Sequence, residues 1–346
     1  MSFAPVTVRE EATAKINLSL DVIDRRDDGY HTIDSVMQAI SLADGVTVTV
    51  APFSCTENRY SADSCQDNPD HSSGDSALIN SVPYQESSIA IELQSSIAIA
   101  PVETNTAVRA ARLWCRYTAA ANLKIRIYLQ KNIPVGAGLG GGSSDAAAVL
   151  RSLNRLAREE RIGVAPLSAE ILLEIAAAIG ADVPFCLYGG IARCRGIGEI
   201  VEPLEPLPQW PLILALPPFS FSTAARYKEL DQLDKSLWQQ PDTEALLQAI
   251  NSHDIAGINQ TAFNVFSNIP DENVTSLQQA LLETDAEMVR MTGSGPVVFA
   301  LYTSEEERDL SLQMLKDPAH KDTVFLPAHL IQSRSSFYFQ QADLSC

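Results

Sequence analysis

Residues 134–146 read Pro-Val-Gly-Ala-Gly-Leu-Gly-Gly-Gly-Ser-Ser-Asp-Ala, and five glycines stand within the seven positions 136–142. Glycine tolerates positive φ and lets backbone N–H groups approach a ligand closely. The alternating run 123–129 before this segment predicts a strand, and the Ala-rich run 144–157 after it predicts a helix. The N–H groups and positive dipole end of that helix would meet the glycines, with serines at its N-cap. This arrangement predicts a site that holds a polyphosphate.

Three other interpretations of the Gly-rich segment fit it less well. Gly136, Gly138 and Gly141 match the Gly-x-Gly-x-x-Gly motif of dinucleotide binding, but that motif should open the first βαβ unit of a parallel sheet. Here it begins only at residue 136, in a chain without a regular βαβ succession. A Walker loop needs a lysine before its serine, whereas Gly142 is followed directly by Ser143. A purely structural turn does not need five glycines, each of which loses much conformational entropy on folding.

Composition limits the class of protein and its partners. The chain has 346 residues, 46% of them hydrophobic and 20% charged, which predicts two ordinary globular domains. A net charge of −18 repels nucleic acid and anionic membrane surfaces. The sequence contains no run of 18 apolar residues, so we expect no transmembrane helix. Residues 1–5 do not resemble a secretory signal. We therefore expect a cytoplasmic protein with no nucleic acid or membrane partner. For the oligomeric state, which composition does not decide, we expect a monomer or weak homodimer.

Two regions carry no chemical motif. The stretch 54–96 is rich in Ser, Asp, Asn and Gln, which predicts a long surface loop or a partly disordered insert. The six cysteines show no Cys-x-x-Cys spacing, which favours buried or incidental thiols over a disulfide between Cys55 and Cys65. The positions of all six are Cys55, Cys65, Cys115, Cys186, Cys194 and Cys346.

Four further segments contain candidate site residues, although each could also serve an ordinary structural role. Lys15 and Asn17 fall on the same side of a predicted strand, where a lysine is usually exposed to solvent. Asp182 precedes Val183-Pro184 after a predicted helix and could be a simple turn residue. The pair Tyr30-His31 follows a turn, and the Gly-rich run 293–295 precedes the strand predicted over 297–301.

The order of these segments resembles the GHMP kinase superfamily. The resemblance spans most of residues 11 to about 302. Its motifs are Ala14-Lys15-Ile16-Asn17-Leu18, Asp28-Gly29-Tyr30-His31, the Gly-rich segment 134–146, Gly180-Ala181-Asp182-Val183-Pro184 and Gly293-Ser294-Gly295-Pro296. Lys-Ile-Asn-Leu followed by Asp-Gly-Tyr-His resembles, more selectively, the diphosphocytidyl-methylerythritol kinases of non-mevalonate (MEP) isoprenoid biosynthesis. The resemblance implies an α+β fold with a ribosomal protein S5 domain 2-like domain over residues 1–160. A ferredoxin-like domain would follow over residues 161–346.

The resemblance also implies a reaction. This is the ATP- and Mg²⁺-dependent phosphorylation of the 2-hydroxyl of 4-diphosphocytidyl-2-C-methyl-D-erythritol, with Asp182 as general base and Lys15 beside it. The ATP phosphates would lie against Pro134, Gly136, Gly138, Leu139, Gly140, Gly141, Gly142, Ser143 and Ser144. The substrate would contact Asn17, Tyr30, His31, Tyr227, Gly293, Ser294 and Gly295. No side chain is assigned as a direct metal ligand, and Ser144 is a candidate phosphate or metal contact.

Three other functions remain open at this point. A homoserine- or mevalonate-type GHMP kinase would not need the base pocket that Tyr30 and His31 suggest. A nucleotide-binding protein without catalysis would gain nothing from Lys15 together with Asp182. A dinucleotide-dependent oxidoreductase would prefer NAD to ATP in a binding titration.

Overall fold

The computed structural model describes residues 3–53, 84–86, 88–315 and 322–332 of the chain. The chain divides into two compact units, each assembled from several segments. The first unit comprises Met1–Ala12, Asp44–Asn132 and Asp145–Ile179, and the second comprises Thr13–Ala43, Ile133–Ser144 and Gly180–Cys346. The proposed boundary between family domains at residue 160 stays a prediction.

Strands and helices are mixed along the chain, as the sequence predicts. The described strands are β1 (Val6–Arg25), β2 (His31–Pro52), β3 (Tyr84–Glu86), β4 (Ile89–Ser95), β5 (Leu123–Gln130), β6 (Ile191–Gly196), β7 (Ile200–Pro203), β8 (Pro211–Leu216), β9 (Met288–Met291), β10 (Val298–Leu301) and β11 (Val324–His329). The described α-helices are α1 (Thr106–Tyr117), α2 (Gly141–Arg158), α3 (Ala169–Ile179), α4 (Val183–Tyr188), α5 (Thr223–Leu230), α6 (Thr243–Asn251), α7 (Ile255–Thr261), α8 (Glu272–Leu282) and α9 (Glu305–Met314).

The first unit packs helices on a sheet whose central strand is β5. Its sequence alternates buried and more exposed residues, so one face covers the core. β5 pairs antiparallel with the end of β2 and parallel with β4, where Ile91 lies opposite Ile125. Helix α1 begins where the Asn105 side chain accepts a hydrogen bond of 2.9 Å from the Ala107 amide. The predicted strand 123–129 and the helical pattern from 105 to 117 are therefore confirmed.

The predicted surface loop over 54–96 is wrong in its last part. Tyr84–Glu86 and Ile89–Ser95 form antiparallel strands, and the second of them pairs along its whole length with β5. Ile91 and Leu93 are buried in this strand. The polar composition of the whole stretch concealed this short apolar run. Residues 54–83, including Cys55 and Cys65, lie outside the described residues, as does Cys346.

The second unit contains the start of β2 paired antiparallel with β6, which in turn pairs with β7. It also contains an antiparallel sheet in the order β11-β8-β10-β9. All six residues of β8 are buried, and Ala215 lies between Val298 on β10 and Phe325 on β11. The strands predicted over 212–216 and 297–301 are confirmed.

Helix α4 follows directly after the predicted turn at 180–182. Pro184 stands in its first turn, where a proline lacks only an N–H that the helix does not use. The same proline is typical of a turn, so the sequence pattern did not predict this helix. Cys186 on α4, Cys194 on β6 and Cys115 on α1 are buried thiols, as expected. No helix in the described part of the chain is long and apolar enough to cross a membrane.

Candidate active site

A cavity of about 620 Å³ is lined entirely by residues of the second unit. Its walls come from β1, β2, the Gly-rich segment 134–142, the turn before α4, helix α5 and the second Gly-rich turn. The predicted site residues that line it are Lys15, Asn17, Tyr30, His31, Gly138, Ser143, Asp182, Tyr227, Gly293 and Ser294. The predicted residues that do not line it are Pro134, Gly136, Leu139, Gly140, Gly141, Gly142, Ser144 and Gly295.

Lys15 and Asp182 form an ion pair in this cavity, although 166 residues separate them in sequence. The distance from Lys15 Nζ to Asp182 Oδ2 is 3.4 Å, and the lysine side chain is buried. Asp182 stands at the N-cap of α4, yet its carboxylate makes no capping hydrogen bond with the helix. The carboxylate is 30% exposed and lines the cavity. A carboxylate held in this way can accept a proton from a bound hydroxyl.

Asn17 holds the lysine in place through a buried polar network. Its Oδ1 accepts a hydrogen bond of 2.8 Å from Lys15 Nζ, and its amide group donates to Ser35 Oγ at 2.8 Å. The backbone N–H of Asn17 donates to Thr292 Oγ1, also at 2.8 Å. Ser35 Oγ in turn donates to the carbonyl of Ser19. Because both ends of the Asn17 side chain are bonded within the protein, its first role in this structure is to position Lys15.

The Gly-rich segment adopts the conformations that its glycines permit. Gly136, Gly138 and Gly140 have φ values of 75°, 72° and 74°, which residues with a side chain rarely adopt. A Cβ atom added to Gly140 would lie 3.0 Å from Lys15 Cγ. Helix α2 then begins at Gly141, three residues earlier than the sequence predicts. The backbone therefore passes close to the lysine immediately before a helix N-terminus, which suits an anionic ligand.

Ser144 fastens this segment to β1. It is buried, and its hydroxyl donates a hydrogen bond of 2.6 Å to the carbonyl of Thr13. The Lys15 backbone N–H donates to the Leu139 carbonyl at 3.0 Å and adds a second connection. Ser143, by contrast, lines the cavity. Of the two serines, Ser143 is the one placed to contact a ligand in this conformation.

Aromatic rings line another wall of the cavity. The rings of His31 and Tyr227 stack with their centroids 4.5 Å apart, and the Tyr227 ring packs nearly perpendicular to that of Phe266, with centroids 4.9 Å apart. Burial, helped by the charge of Asp182, raises the pKa of the Tyr227 phenol to about 12. Tyr30 is 61% exposed, so its ring is available for a flat ligand to stack on. His31 Nε2 lies 2.7 Å from Asp231 Oδ1.

The second Gly-rich turn connects β9 to β10 and is held from two sides. The Asn264 amide donates hydrogen bonds of 2.8 Å to the carbonyls of Met291 and Gly293. Ser294 Oγ lies 3.1 Å from Thr223 Oγ1, in the first turn of α5. Gly293 and Gly295 have φ values of 57° and 79°. The turn is therefore fixed in the conformation that places Gly293 and Ser294 in the cavity wall.

Several residues that build the site carry no signal in the sequence. Asp231 contacts His31, Asn264 holds the second Gly-rich turn, and Thr292 binds the backbone of Asn17. Asp231 and Asn264 are single polar residues outside any motif, while Thr292 directly precedes the second Gly-rich turn, and each reaches its partner across a long stretch of chain. Burial of Asn264 and Thr292 is visible only in the folded structure.

Comparisons with known proteins agree with the motif order. Profiles of the GHMP kinases N-terminal domain and the GHMP kinases C-terminal domain match residues 105–190 and 243–320. The chain is 35% identical over 331 residues to 4-diphosphocytidyl-2-C-methyl-D-erythritol kinase of Alkaliphilus metalliredigens, which covers 95% of this chain and 97% of that protein. It is 36% identical over 297 residues to the enzyme of the same name from Enterococcus faecalis, which covers 84% and 89%.

Solved structures show the same fold. A crystal structure of 4-(cytidine 5'-diphospho)-2C-methyl-D-erythritol kinase superposes with a TM-score of 0.65 at 27% identity, covering 93% of this chain and 99% of that one. Homoserine kinase from Cytophaga hutchinsonii superposes with a TM-score of 0.66 at 19% identity, covering 94% and 96%, and indicates the fold alone. The predicted α+β fold of the GHMP kinases is confirmed.

Proposed function

Because the chain belongs to the 4-diphosphocytidyl-2-C-methyl-D-erythritol kinase family of GHMP kinases, we propose that it phosphorylates the 2-hydroxyl of 4-diphosphocytidyl-2-C-methyl-D-erythritol. ATP is the phosphoryl donor, and the product serves non-mevalonate isoprenoid biosynthesis. The observation that carries this proposal is the Lys15–Asp182 pair, which shares one cavity with Gly138, Ser143 and the His31–Tyr227 stack. A general base with an ammonium beside it, a phosphate-binding backbone and a wall that binds the nucleobase are the three parts that this reaction needs.

Asp182 is the general base in this proposal. Its carboxylate accepts the proton of the 2-hydroxyl as the oxygen attacks the γ-phosphorus. The ammonium of Lys15, 3.4 Å away, favours the ionised carboxylate and stabilises negative charge on the attacking oxygen. The buried bond from Lys15 to Asn17 keeps the ammonium at this point. Positioning and charge neutralisation supply most of the acceleration in phosphoryl transfer.

The Gly-rich segment fits the phosphates of ATP. The backbone from Gly138 to Ser144 would hold them, because two positive-φ glycines, Gly138 and Gly140, remove the side chains that would block the approach. The N-terminus of the 18-residue helix α2 adds a favourable dipole. Pro134, Gly136 and Leu139 shape the segment rather than line the cavity.

Mg²⁺ is compatible with this site as an ion held mainly by the ligand. Magnesium usually takes one or two carboxylates together with phosphate oxygens and water. The described residues contain no group of three or more His, Cys, Asp or Glu side chains that could hold a metal by themselves. Of the cavity groups, the Ser143 hydroxyl would complete its ligands and leave Asp182 to act as the base. The ion would neutralise charge on the transferred phosphoryl group.

The aromatic wall would bind the cytidine. We assign the hydrogen bonds to the base to His31 and its stacking to the exposed ring of Tyr30. Tyr227 already stacks on His31, so it acts on the base from behind the histidine in this conformation. The methylerythritol end would lie near Asn17, and the diphosphate near Gly293, Ser294 and Gly295.

The test is ADP release from ATP and Mg²⁺ with 4-diphosphocytidyl-2-C-methyl-D-erythritol, measured beside homoserine and mevalonate. We expect turnover only with the cytidine substrate, and loss of turnover in Asp182→Ala. A folded protein that binds ATP but turns over none of the three would refute the substrate assignment. Turnover of homoserine or mevalonate instead would move the chain to another branch of the GHMP kinases.

The net charge of −18 disfavours binding to nucleic acid and to anionic membranes. We propose that it works in the cytoplasm as a monomer or weak homodimer, without a nucleic acid or membrane partner. Size-exclusion chromatography with light scattering at several protein concentrations measures the oligomeric state.

A further inference from the structure

A carboxylate from helix α5 contacts the histidine of the aromatic wall. Asp231 Oδ1 lies 2.7 Å from His31 Nε2, and Asp231 Oδ2 lies 3.5 Å from Arg25 Nη1. The side chain of His31 is only 7% exposed, while that of Asp231 is 27% exposed. The first of these contacts is short and well placed for a hydrogen bond. Asp231 belongs to no motif of the sequence and has no role in the reaction described above.

The position of Asp231 is not explained by the helix that carries it. It is the C-cap residue of α5, where the negative end of the helix dipole disfavours an acidic side chain. Its contact with Arg25 does not explain it either. The arginine side chain is 63% exposed, and an ion pair at that distance from an exposed partner contributes little stability. The contact with His31 is the interaction that remains to account for this carboxylate.

The contact fixes the hydrogen on the imidazole. An ionised carboxylate only accepts hydrogen bonds, so Nε2 of His31 must carry the hydrogen. In the neutral ring this leaves a lone pair on Nδ1. Nδ1 has no hydrogen-bond partner among the residues that the structure describes, and His31 lines the cavity. The stack on Tyr227 restrains the plane of the ring.

A lone pair at this point distinguishes between pyrimidine bases. Cytosine presents an exocyclic amino group, which donates a hydrogen bond, where uracil presents a carbonyl oxygen, which accepts one. An Nδ1 acceptor pairs with the first and repels the second. We infer that Asp231 is a positioning residue that holds His31 in the Nε2–H tautomer and thereby makes the site prefer cytosine to uracil. This inference rests on the proposed function, because it takes the cytidine substrate as given.

The test compares two substrates in three proteins. The value of kcat/KM is measured for 4-diphosphocytidyl-2-C-methyl-D-erythritol and for its uridine analogue in wild type, Asp231→Asn and Asp27→Asn. An asparagine can donate to Nε2 as well as accept from it, which releases the tautomer. We expect the cytidine-to-uridine ratio to fall by about tenfold or more in Asp231→Asn, the scale of one base-edge contact. Asp27→Asn removes a nearby exposed charge and should leave the ratio unchanged.

A second measurement does not depend on the folding of the variant. Long-range ¹⁵N–¹H correlation spectra of the wild-type protein with ¹⁵N-labelled histidine report which ring nitrogen of His31 carries the hydrogen. The Nε2–H form at pH 7.5 is expected. The Nδ1–H form, or a ring protonated at both nitrogens, would overturn the inference.

The outcomes separate the two proposals. A wild-type protein that does not turn over the cytidine substrate would overturn the proposed function, and this inference with it. Full wild-type activity with an unchanged base ratio in Asp231→Asn would overturn the inference alone. A reduced ratio in Asp231→Asn, together with the Nε2–H tautomer in the wild type, would support it.

Discussion

Replacing Asp145 with asparagine is expected to stabilise the protein at neutral and alkaline pH. In the first unit, Lys131 Nζ contacts two buried carboxylates, Asp44 and Asp145, and lies 2.6 Å from Asp145 Oδ2. Asp44 Oδ1 also accepts a hydrogen bond of 2.6 Å from the backbone N–H of Asn132. Asp145 Oδ1 is buried and has no hydrogen-bond partner in the described part of the chain. One ammonium thus serves two carboxylates, and Asp145 is the less well supported of them.

The pKa of Asp145 gives the size of the effect. Burial raises it from 3.8 to about 6, and the charge of Lys131 only partly opposes this. The folded protein therefore binds this proton more tightly than the unfolded chain does. Stability from this group is present below about pH 4 and is lost as the pH rises through about 6. The difference of roughly two pKa units corresponds to about 3 kcal/mol at pH 8.

Asparagine keeps the shape of the side chain and removes the ionisation. Burial lowers the pKa of Lys131, but the two carboxylates raise it by more. In the variant Lys131 keeps Asp44 and loses its charged partner Asp145, which offsets part of the gain in stability. We therefore expect Asp145→Asn to raise the free energy of unfolding by about 1–3 kcal/mol at pH 8. The gain should shrink towards zero at pH 4.

Urea denaturation curves, recorded by circular dichroism at a series of pH values, measure the difference in free energy of unfolding between the two proteins. The matched control is Asp44→Asn, which removes the carboxylate that also binds the backbone N–H of Asn132 and should destabilise the protein at pH 8. An Asp145→Asn protein less stable than wild type at pH 8 would refute the reasoning. So would a stability difference that does not change between pH 4 and pH 8.

Three further predictions concern catalysis and binding. Asp182→Asn should lower kcat by roughly 10²- to 10⁴-fold with little change in substrate binding, as steady-state kinetics and calorimetry would show; near-full turnover would exclude it as general base. His31→Ala should raise the KM for the cytidine substrate by about tenfold or more and that for ATP much less, whereas equal effects would place His31 outside the base pocket. Gly140→Ala should weaken ATP binding about fivefold or more, since its φ of 74° and the contact with Lys15 disfavour a Cβ; Gly45→Ala, at ordinary φ, is the control.

The sequence predicted those elements of the fold whose local patterns agree with their final packing. β5 alternates strictly, and the apolar positions of α1 repeat at helical spacing, so both were predicted within one or two residues. β4 was missed because its apolar residues follow a long polar stretch that dominates any average of composition. Helix α4 was missed because Pro184 is typical both of a turn and of the first turn of a helix. The sequence around it does not distinguish these two positions, and the structure places it in the helix.

The candidate site was predicted in its motifs but not in the contacts that support them. Lys15 and Asp182 could each have had an ordinary structural role, and the structure brings them within 3.4 Å of each other. Asp231 could not be predicted, because its contact with His31 depends on how α5 packs against the start of β2. Ser144 was expected near a ligand, whereas its buried hydroxyl binds the backbone of β1. The catalytic roles of Lys15 and Asp182 stay predictions.

The buried polar face of β1 shows why these contacts matter to the chemistry. Lys15, Asn17 and Ser19 alternate on one side of the strand and are all buried, which would be costly without partners. Each cost is met by a bond to another segment: Lys15 to Asp182, Asn17 to Ser35 and Thr292, and Ser19 to the carbonyl of Phe263. The strand is therefore tied to the turn before α4, to β2, to the carbonyl of Phe263 and to Thr292, directly before the second Gly-rich turn. A lysine fixed by so many bonded neighbours needs little rearrangement when charge develops beside it, which is the condition under which electrostatic stabilisation is most effective.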